Sequence, residues 1–355
     1  MRSLILSVLF LTALVRGLSQ PAANPESNVP KEPSAILDAA KPLYDFNSPA
    51  LKPWHLKATY QLYDVKGNPT EQGAWEYWWA SPKVHRSDWT RAGAETTKWV
   101  TADGAVYSKE TGKPLRYFER TIEEILLSPL PQRGFLESGK IKLDLRMLPS
   151  DKPEFACVFA TQQWSKLGTP GFMPLADKYC FEPATMALRV AYSHQLMRQY
   201  DQLVVTQGHY LARQVMVKYG EETVFSVAVN AIEELKPADT VFSPPADATL
   251  ERSARISESK DQSNTVMGSL VKTTEPVYPQ ISKMNHEQGV VVLAATIGTD
   301  GRIHDLEVLA SPSSLLAESA AEAVKKWEYK PCLLNGQPIE AQILLNIIFN
   351  LGKHP

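Results

Sequence analysis

The sequence predicts an α+β protein: a large antiparallel β-rich domain crossed by one helix, followed by a small ββαβ unit. Three observations predict it. From Trp54 to about Leu250, short runs rich in β-branched and aromatic residues recur between turn signals such as Lys66-Gly67-Asn68-Pro69, Ala102-Asp103-Gly104 and Gln207-Gly208. Inside that stretch, Pro114 to Ser128 has helical spacing instead, with Leu115, Phe118, Ile122, Ile125 and Leu126 three and four apart. After a polar segment from Glu251 to Met267, the pattern becomes strand, hairpin, strand, helix, strand.

The β-rich region carries strand patterns at Trp54 to Tyr63, Ala74 to Trp79, Lys83 to Thr90, Thr96 to Val100, Lys140 to Leu145, Phe155 to Thr161, Lys178 to Phe181, Met186 to Tyr192, Leu203 to Thr206, Tyr210 to Tyr219 and Glu222 to Glu234. Their spacing suits an antiparallel sheet of many strands, curved or closed. Ser243-Pro244-Pro245 closes the region. The domains read as 20–49 (lead and short helix), 50–250, a linker at 251–268, and 269–355.

In the last unit, Gly289 to Ile297 is an unbroken apolar run, suited to a strand buried on both faces. Thr299-Asp300-Gly301 is a hairpin turn, and Ile303 to Leu309 returns as the second strand. Ser311-Pro312-Ser313-Ser314 offers helix caps. The helix then places Leu316, Ala320, Ala323, Val324 and Trp327 on one face. Pro331 ends the helical region, and Asn335-Gly336 turns the chain into the last strand. There Ile343, Leu345, Ile347, Phe349 and Leu351 share one face, with Gln342, Asn346 and Asn350 on the other.

Taken in order, Tyr278-Pro279, Gly289-Val290 with its β run, Asp300-Gly301, Trp327-x-Tyr329-x-Pro331, Asn335-Gly336-x-Pro338 and the long last strand resemble the C-terminal domain of TonB, the periplasmic energy transducer of Gram-negative bacteria. The resemblance implies that an extended peptide of an outer-membrane transporter, or another envelope protein, adds as a strand to the last strand. The implied contacts are Gln342, Leu344, Asn346 and Ile348 along that edge, with Glu275, Val277 and Tyr278 beside it. Gly289, Asp300, Gly301, Trp327, Pro331 and Gly336 are implied as structural residues. Tyr278 also fits a rigid strand entry packed on the helix. Two departures stand out: Glu275 replaces the Gln of TonB, and a β-rich domain occupies the place of TonB's Pro-rich spacer. Self-pairing of the last strand, Ile339 to Leu351, into a homodimer is a further reading.

The opening Trp54-His55-Leu56-Lys57-Ala58 strand, the Gly73-x-x-Glu76-Tyr77-Trp78 strand and the meander with one helix resemble the LolA/LolB-like lipoprotein carriers. This implies a half-barrel that holds a lipid or other apolar ligand. Trp75, Tyr77, Trp78, Trp79, Trp89 and Trp99 are then either pocket or ordinary core, and a cavity of several hundred Å³ beneath the helix would favour the carrier.

The net charge of −2 and dispersed basic residues give no basis for nucleic-acid binding. Met1-Arg2-Ser3 followed by Leu4 to Val15 and Gly17-Leu18-Ser19 reads as a secretory signal peptide over residues 1–19, which places the protein in the periplasm. The alternative is an inner-membrane anchor through an uncleaved segment. Export makes Cys157 and Cys180 disulfide candidates and leaves Cys332 over. The seven His residues are dispersed, and no hydrolase, zinc or phosphate-loop motif is present, so no enzyme activity, metal or cofactor is expected.

Overall fold

The computed structural model describes residues 30–131, 141–148, 154–162, 176–235, 239–251, 265–266 and 268–352. The expected signal segment, the lead up to residue 29 and residues 252–264 of the expected linker lie outside the described residues.

The chain opens with helix α1 (Pro33–Ala40) and a 3-10 turn, Lys41–Tyr44. Five strands follow: β1 (Trp54–Tyr63), β2 (Pro69–Ser81), β3 (Val84–Arg91), β4 (Ala94–Val100) and β5 (Val106–Thr111). Helix α2 (Tyr117–Leu127) intervenes. Then come β6 (Ile141–Leu148), β7 (Phe155–Gln162), β8 (Ala176–Glu182), β9 (Ala187–Ser193), β10 (Leu196–Thr206), β11 (His209–Tyr219), β12 (Glu222–Glu234) and β13 (Thr249–Leu250). These thirteen strands form one open antiparallel sheet in the order β13-β5-β4-β3-β2-β1-β12-β11-β10-β9-β8-β7-β6. A disulfide joins Cys157 and Cys180, which face each other across β7 and β8.

Alternation decides which face is buried. Trp54, Leu56, Ala58, Tyr60 and Leu62 of β1 turn inward with Trp75, Tyr77 and Trp79 of β2. Helix α2 closes over them, burying Phe118, Ile122, Ile125 and Leu126, with Phe118 stacked on Phe225 at 5.0 Å. The six aromatic candidates do not form one pocket. Trp75, Tyr77, Trp79 and Trp89 are core, whereas Trp78 and Trp99 sandwich Arg86 on the opposite face, 4.8 and 5.4 Å from its guanidinium. Phe118, Ile122, Ile125 and Leu126 of α2 belong to the same buried cluster as Trp75, Tyr77, Trp79 and Trp89. A cleft of about 400 Å³ lies elsewhere, between Lys52, Trp54, Gln207, Ile232 and Glu234.

Strand β10 starts seven residues earlier than its apolar run at Leu203 to Thr206 suggests. The preceding turn at His194 and Gln195 has φ of 50° and 67° without a glycine, so it carries no turn signature.

The C-terminal unit contains β14 (Thr265–Val266), β15 (Leu270–Lys272), α3 (Gln280–Met284), β16 (Gly289–Ile297), β17 (Ile303–Ala310), α4 (Ser314–Val324), β18 (Glu328–Tyr329), β19 (Cys332–Leu334), β20 (Gln337–Ile339) and β21 (Ala341–Phe349). Its main sheet has the order β17-β16-β21. Ser313 caps α4, its hydroxyl accepting from the Leu316 N–H. Three details differ from the sequence reading. Helix α4 stops at Val324, so Trp327 lies beyond it and donates its indole N–H to the Thr274 carbonyl at 2.9 Å. Asn335-Gly336 joins β19 to β20 rather than leading directly into the last strand. Thr265 and Val266, inside the expected linker, pair with Leu334 and Leu333.

Both faces of the β17-β16-β21 sheet are covered. One packs on α4 through Val291, Leu293, Ala295, Leu316, Ala320, Val324, Leu345 and Ile347. The other joins the core of the β-rich unit through Val292, Ala294, Leu309 and Ala310.

Candidate functional site

Strand β21 pairs with β16 alone among the described residues, so its outer edge is open. The register is Gly289 opposite Phe349, Val290 opposite Ile348, Val292 opposite Asn346, Ala294 opposite Leu344 and Thr296 opposite Gln342. Residues in an antiparallel pair alternate between those that exchange hydrogen bonds and those that do not. Two contacts fix the alternation here. The Val290 carbonyl accepts from the Tyr219 hydroxyl at 2.6 Å, and the Val290 N–H donates to the same oxygen at 3.3 Å. At the other end, the Gly298 N–H donates to Arg302 on the β17 side. Even-numbered residues of β16 therefore turn their backbone groups away from β21. Their partners Gln342, Leu344, Asn346 and Ile348 turn theirs to the open edge.

The side chains of these four residues lie on the face toward the β-rich unit. Leu344 packs into its core. With its amide oxygen turned toward α2, Gln342 accepts from Arg120 Nη2 at 3.0 Å and Nε at 3.3 Å. Asn346 Oδ1 is buried without a hydrogen-bond partner among the described residues. The alternate residues Leu345, Ile347 and Phe349 are buried against α4.

Two further contacts hold the units together. Glu307 of β17 accepts from Arg116 Nε at 2.9 Å and from the Tyr117 N–H at 2.8 Å. Burial pushes the Tyr219 hydroxyl above its usual pKa, so it stays protonated to donate to Val290. Arg116, Arg120, Tyr219 and Glu307 were absent from the sequence-derived site, because nothing local marks a residue whose partner lies on another unit.

The entry segment divides. Glu275 and Val277 are exposed, Val277 at 79%. Tyr278 is a packing group: its ring meets Phe349 edge-on at 5.3 Å and its hydroxyl donates to the Glu287 carbonyl. Among the structural candidates, Asp300 Oδ1 accepts from the Arg302 N–H at 2.9 Å. Gly301 has φ of 76°, and a Cβ there would sit 2.0 Å from the Tyr329 carbonyl oxygen. Gly289 has φ of 142°, and a Cβ there would sit 2.7 Å from Pro312 Cγ. Trp327 packs against the α4 cluster, Pro331 is half-buried, and Gly336 stands in the β19–β20 turn.

The open edge strand, the Tyr-Pro entry and the ββαβ order occur within one short segment. Residues 274–351 match the model of the Gram-negative bacterial TonB protein C-terminal. Over 79 residues the chain is 33% identical to protein TonB of Pseudomonas aeruginosa, covering 22% of this chain and 23% of that protein. Over 78 residues it is 31% identical to protein TonB of Vibrio cholerae, covering 22% and 32%. The chain thus spans 23% and 32% of the lengths of these two relatives. The solution structure of the P. aeruginosa TonB C-terminal domain aligns over 29% of this chain and 100% of that one, with 24% identity and a TM-score of 0.21. A LolA superfamily protein from Nitrosomonas europaea aligns over 59% of this chain and 97% of that one, with 9% identity and a TM-score of 0.38. The TonB-like segment contains all of β16, β17, α4 and β21.

Proposed function

We propose that this is an exported protein of the cell envelope whose TonB-like segment captures an extended peptide of an outer-membrane transporter by strand addition on β21, as part of TonB-dependent transport. The observation that carries the reading is the open edge of β21, where Gln342, Leu344, Asn346 and Ile348 turn their backbone donors and acceptors outward. An added strand satisfies these groups through main-chain bonds, and its side chains set the register. Glu275 and Val277 are exposed for contact beside the edge, while Tyr278 stiffens the entry by packing on Phe349.

The test is a titration of the full chain with extended peptides taken from outer-membrane transporters, followed by backbone amide NMR. Shifts are expected at residues 342, 344, 346 and 348. Asn346→Pro removes one outward N–H without touching the bonds to β16, a position where an edge strand tolerates proline. It should abolish binding while preserving the remaining amide spectrum. Absence of shifts at millimolar peptide would overturn the reading.

A further inference from the structure

Helix α2 belongs to the β-rich unit, yet it runs across one face of the TonB-like sheet. Its first turn meets β17, where Arg116 and the Tyr117 N–H bind Glu307. One turn later it meets β21, where Arg120 binds Gln342. Strand β16 lies between these two contacts. A helical turn advances about 5.4 Å and strands lie about 4.8 Å apart, with the reach of the two arginines making up the difference. The helix therefore travels from one edge strand toward the open edge. Glu124, one turn beyond Arg120, continues the Arg116–Arg120 stripe of the helix in that direction.

The charges at that turn are unequal in exposure. Glu124 is 59% exposed. Arg198 of β10 stands behind it, with Nη1 4.0 Å away and its side chain only 16% exposed. Glu123, the neighbour of Glu124 on the helix, turns away and accepts from the Tyr77 hydroxyl at 3.1 Å. Of the two charges, the Glu124 carboxylate is the more open to solvent. Residues of an added strand that lie opposite Gln342 or Leu344 share the α2-facing side of the sheet.

We propose that α2 is the second wall of the peptide groove, and that Glu124 makes it select a strand carrying a lysine or arginine on its α2-facing side. This rests on the strand-addition reading. It assigns the β-rich unit a part in recognition: the TonB-like edge supplies main-chain affinity, and the crossing helix reads one side chain of the ligand.

The test uses the full chain and a set of otherwise identical Val/Thr peptides that carry one Lys or one Glu, walked through each position. Binding is read by fluorescence anisotropy at low salt. The expected result is a Lys preference of roughly fivefold at one or two alternate positions, as for a partly exposed ion pair. Glu124→Gln should remove the preference, and Glu124→Lys should reverse it; the side chain is exposed enough for both variants to leave the amide spectrum native. Equal binding of Lys and Glu peptides at every position, unchanged by either variant, overturns the proposal while strand addition stands. Failure of every peptide to bind overturns both.

Discussion

The Glu307 carboxylate closes the N-terminus of a helix that begins 190 positions earlier, accepting from the Tyr117 N–H at 2.8 Å. Helix α2 already has an internal cap, because Glu119 reaches back to the Arg116 N–H at 2.7 Å. Glu307 satisfies a further orphan donor from outside and holds Arg116 as well. The contact joins the TonB-like segment to the β-rich unit at the point where the helix begins its crossing.

Glu307→Ala should therefore cost about 1–2 kcal/mol, the range for a lost helix cap and a charge-assisted bond. Glu307→Gln keeps an acceptor for Tyr117 and should lose less. Urea unfolding of the three proteins checks this. An Ala variant as stable as the parent would mean that water replaces the carboxylate without loss.

Tyr219→Phe tests the second contact. It leaves the Val290 N–H and carbonyl without the hydroxyl that binds both. The expected cost is about 1–3 kcal/mol, as for unsatisfied buried groups. Hydrogen exchange should accelerate at Val290 and change little at Leu293, whose backbone faces β21.

The sequence was most legible where information is local. Runs rich in β-branched and aromatic residues between turn signals marked β1, β2, β11 and β12, three-and-four spacing marked α2, and Asp300-Gly301 marked a turn that the structure places between β16 and β17. Outward-facing edge residues were also within reach, since period two separates Gln342, Leu344, Asn346 and Ile348 from Ile343, Leu345, Ile347 and Phe349. What covers their side chains was not. A face of mixed Gln, Leu and Asn reads alike whether it meets water or another unit, and its partners Arg120, Arg116 and Tyr219 are remote in sequence. The aromatics stayed ambiguous for a similar reason. Trp78 and Trp79 are adjacent residues, so they point to opposite faces of the sheet, and composition alone groups them.

A buried ionic network ties α2 to the large sheet and should be more costly to break. Glu119 is fully buried, accepts from the Tyr60 hydroxyl and lies 3.4 Å from Arg91 Nε. Arg91, itself nearly buried, also donates to Glu71 at 3.1 Å. Glu119→Ala leaves Arg91 with Glu71 as its remaining carboxylate and deprives the Tyr60 hydroxyl and the Arg116 N–H of their acceptor, so a loss of about 3–5 kcal/mol is expected. Glu119→Gln preserves the acceptor and shape and should retain a larger part. Comparable losses for the two variants would place the stabilisation in packing rather than in charge.

The pH dependence should show two opposed titrations around Arg198. Burial depresses His194 from 6.5 to about 4, assisted by the Arg198 charge. Burial raises Asp177 from 3.8 to about 6, partly offset by the same arginine. As pH falls from 6.5 to about 4, the unfolded chain protonates its histidine before the native protein does, so His194 destabilises the fold. As pH falls from about 6 to 3.8, the native protein protonates Asp177 before the unfolded chain does, so Asp177 stabilises it. The windows overlap and the signs oppose, and the two contributions largely cancel. Asp177→Asn removes the compensation. That variant should lose about 1–2 kcal/mol relative to the parent between pH 6.5 and 4.5, a figure reduced from the full shift because solvent reaches the half-buried His194. His194→Gln should do the opposite and gain on the parent over the same interval. Urea midpoints of the three proteins at the two pH values decide it: diverging lines on either side of the parent are expected, and parallel lines would show that neither group titrates differently in the folded and unfolded states.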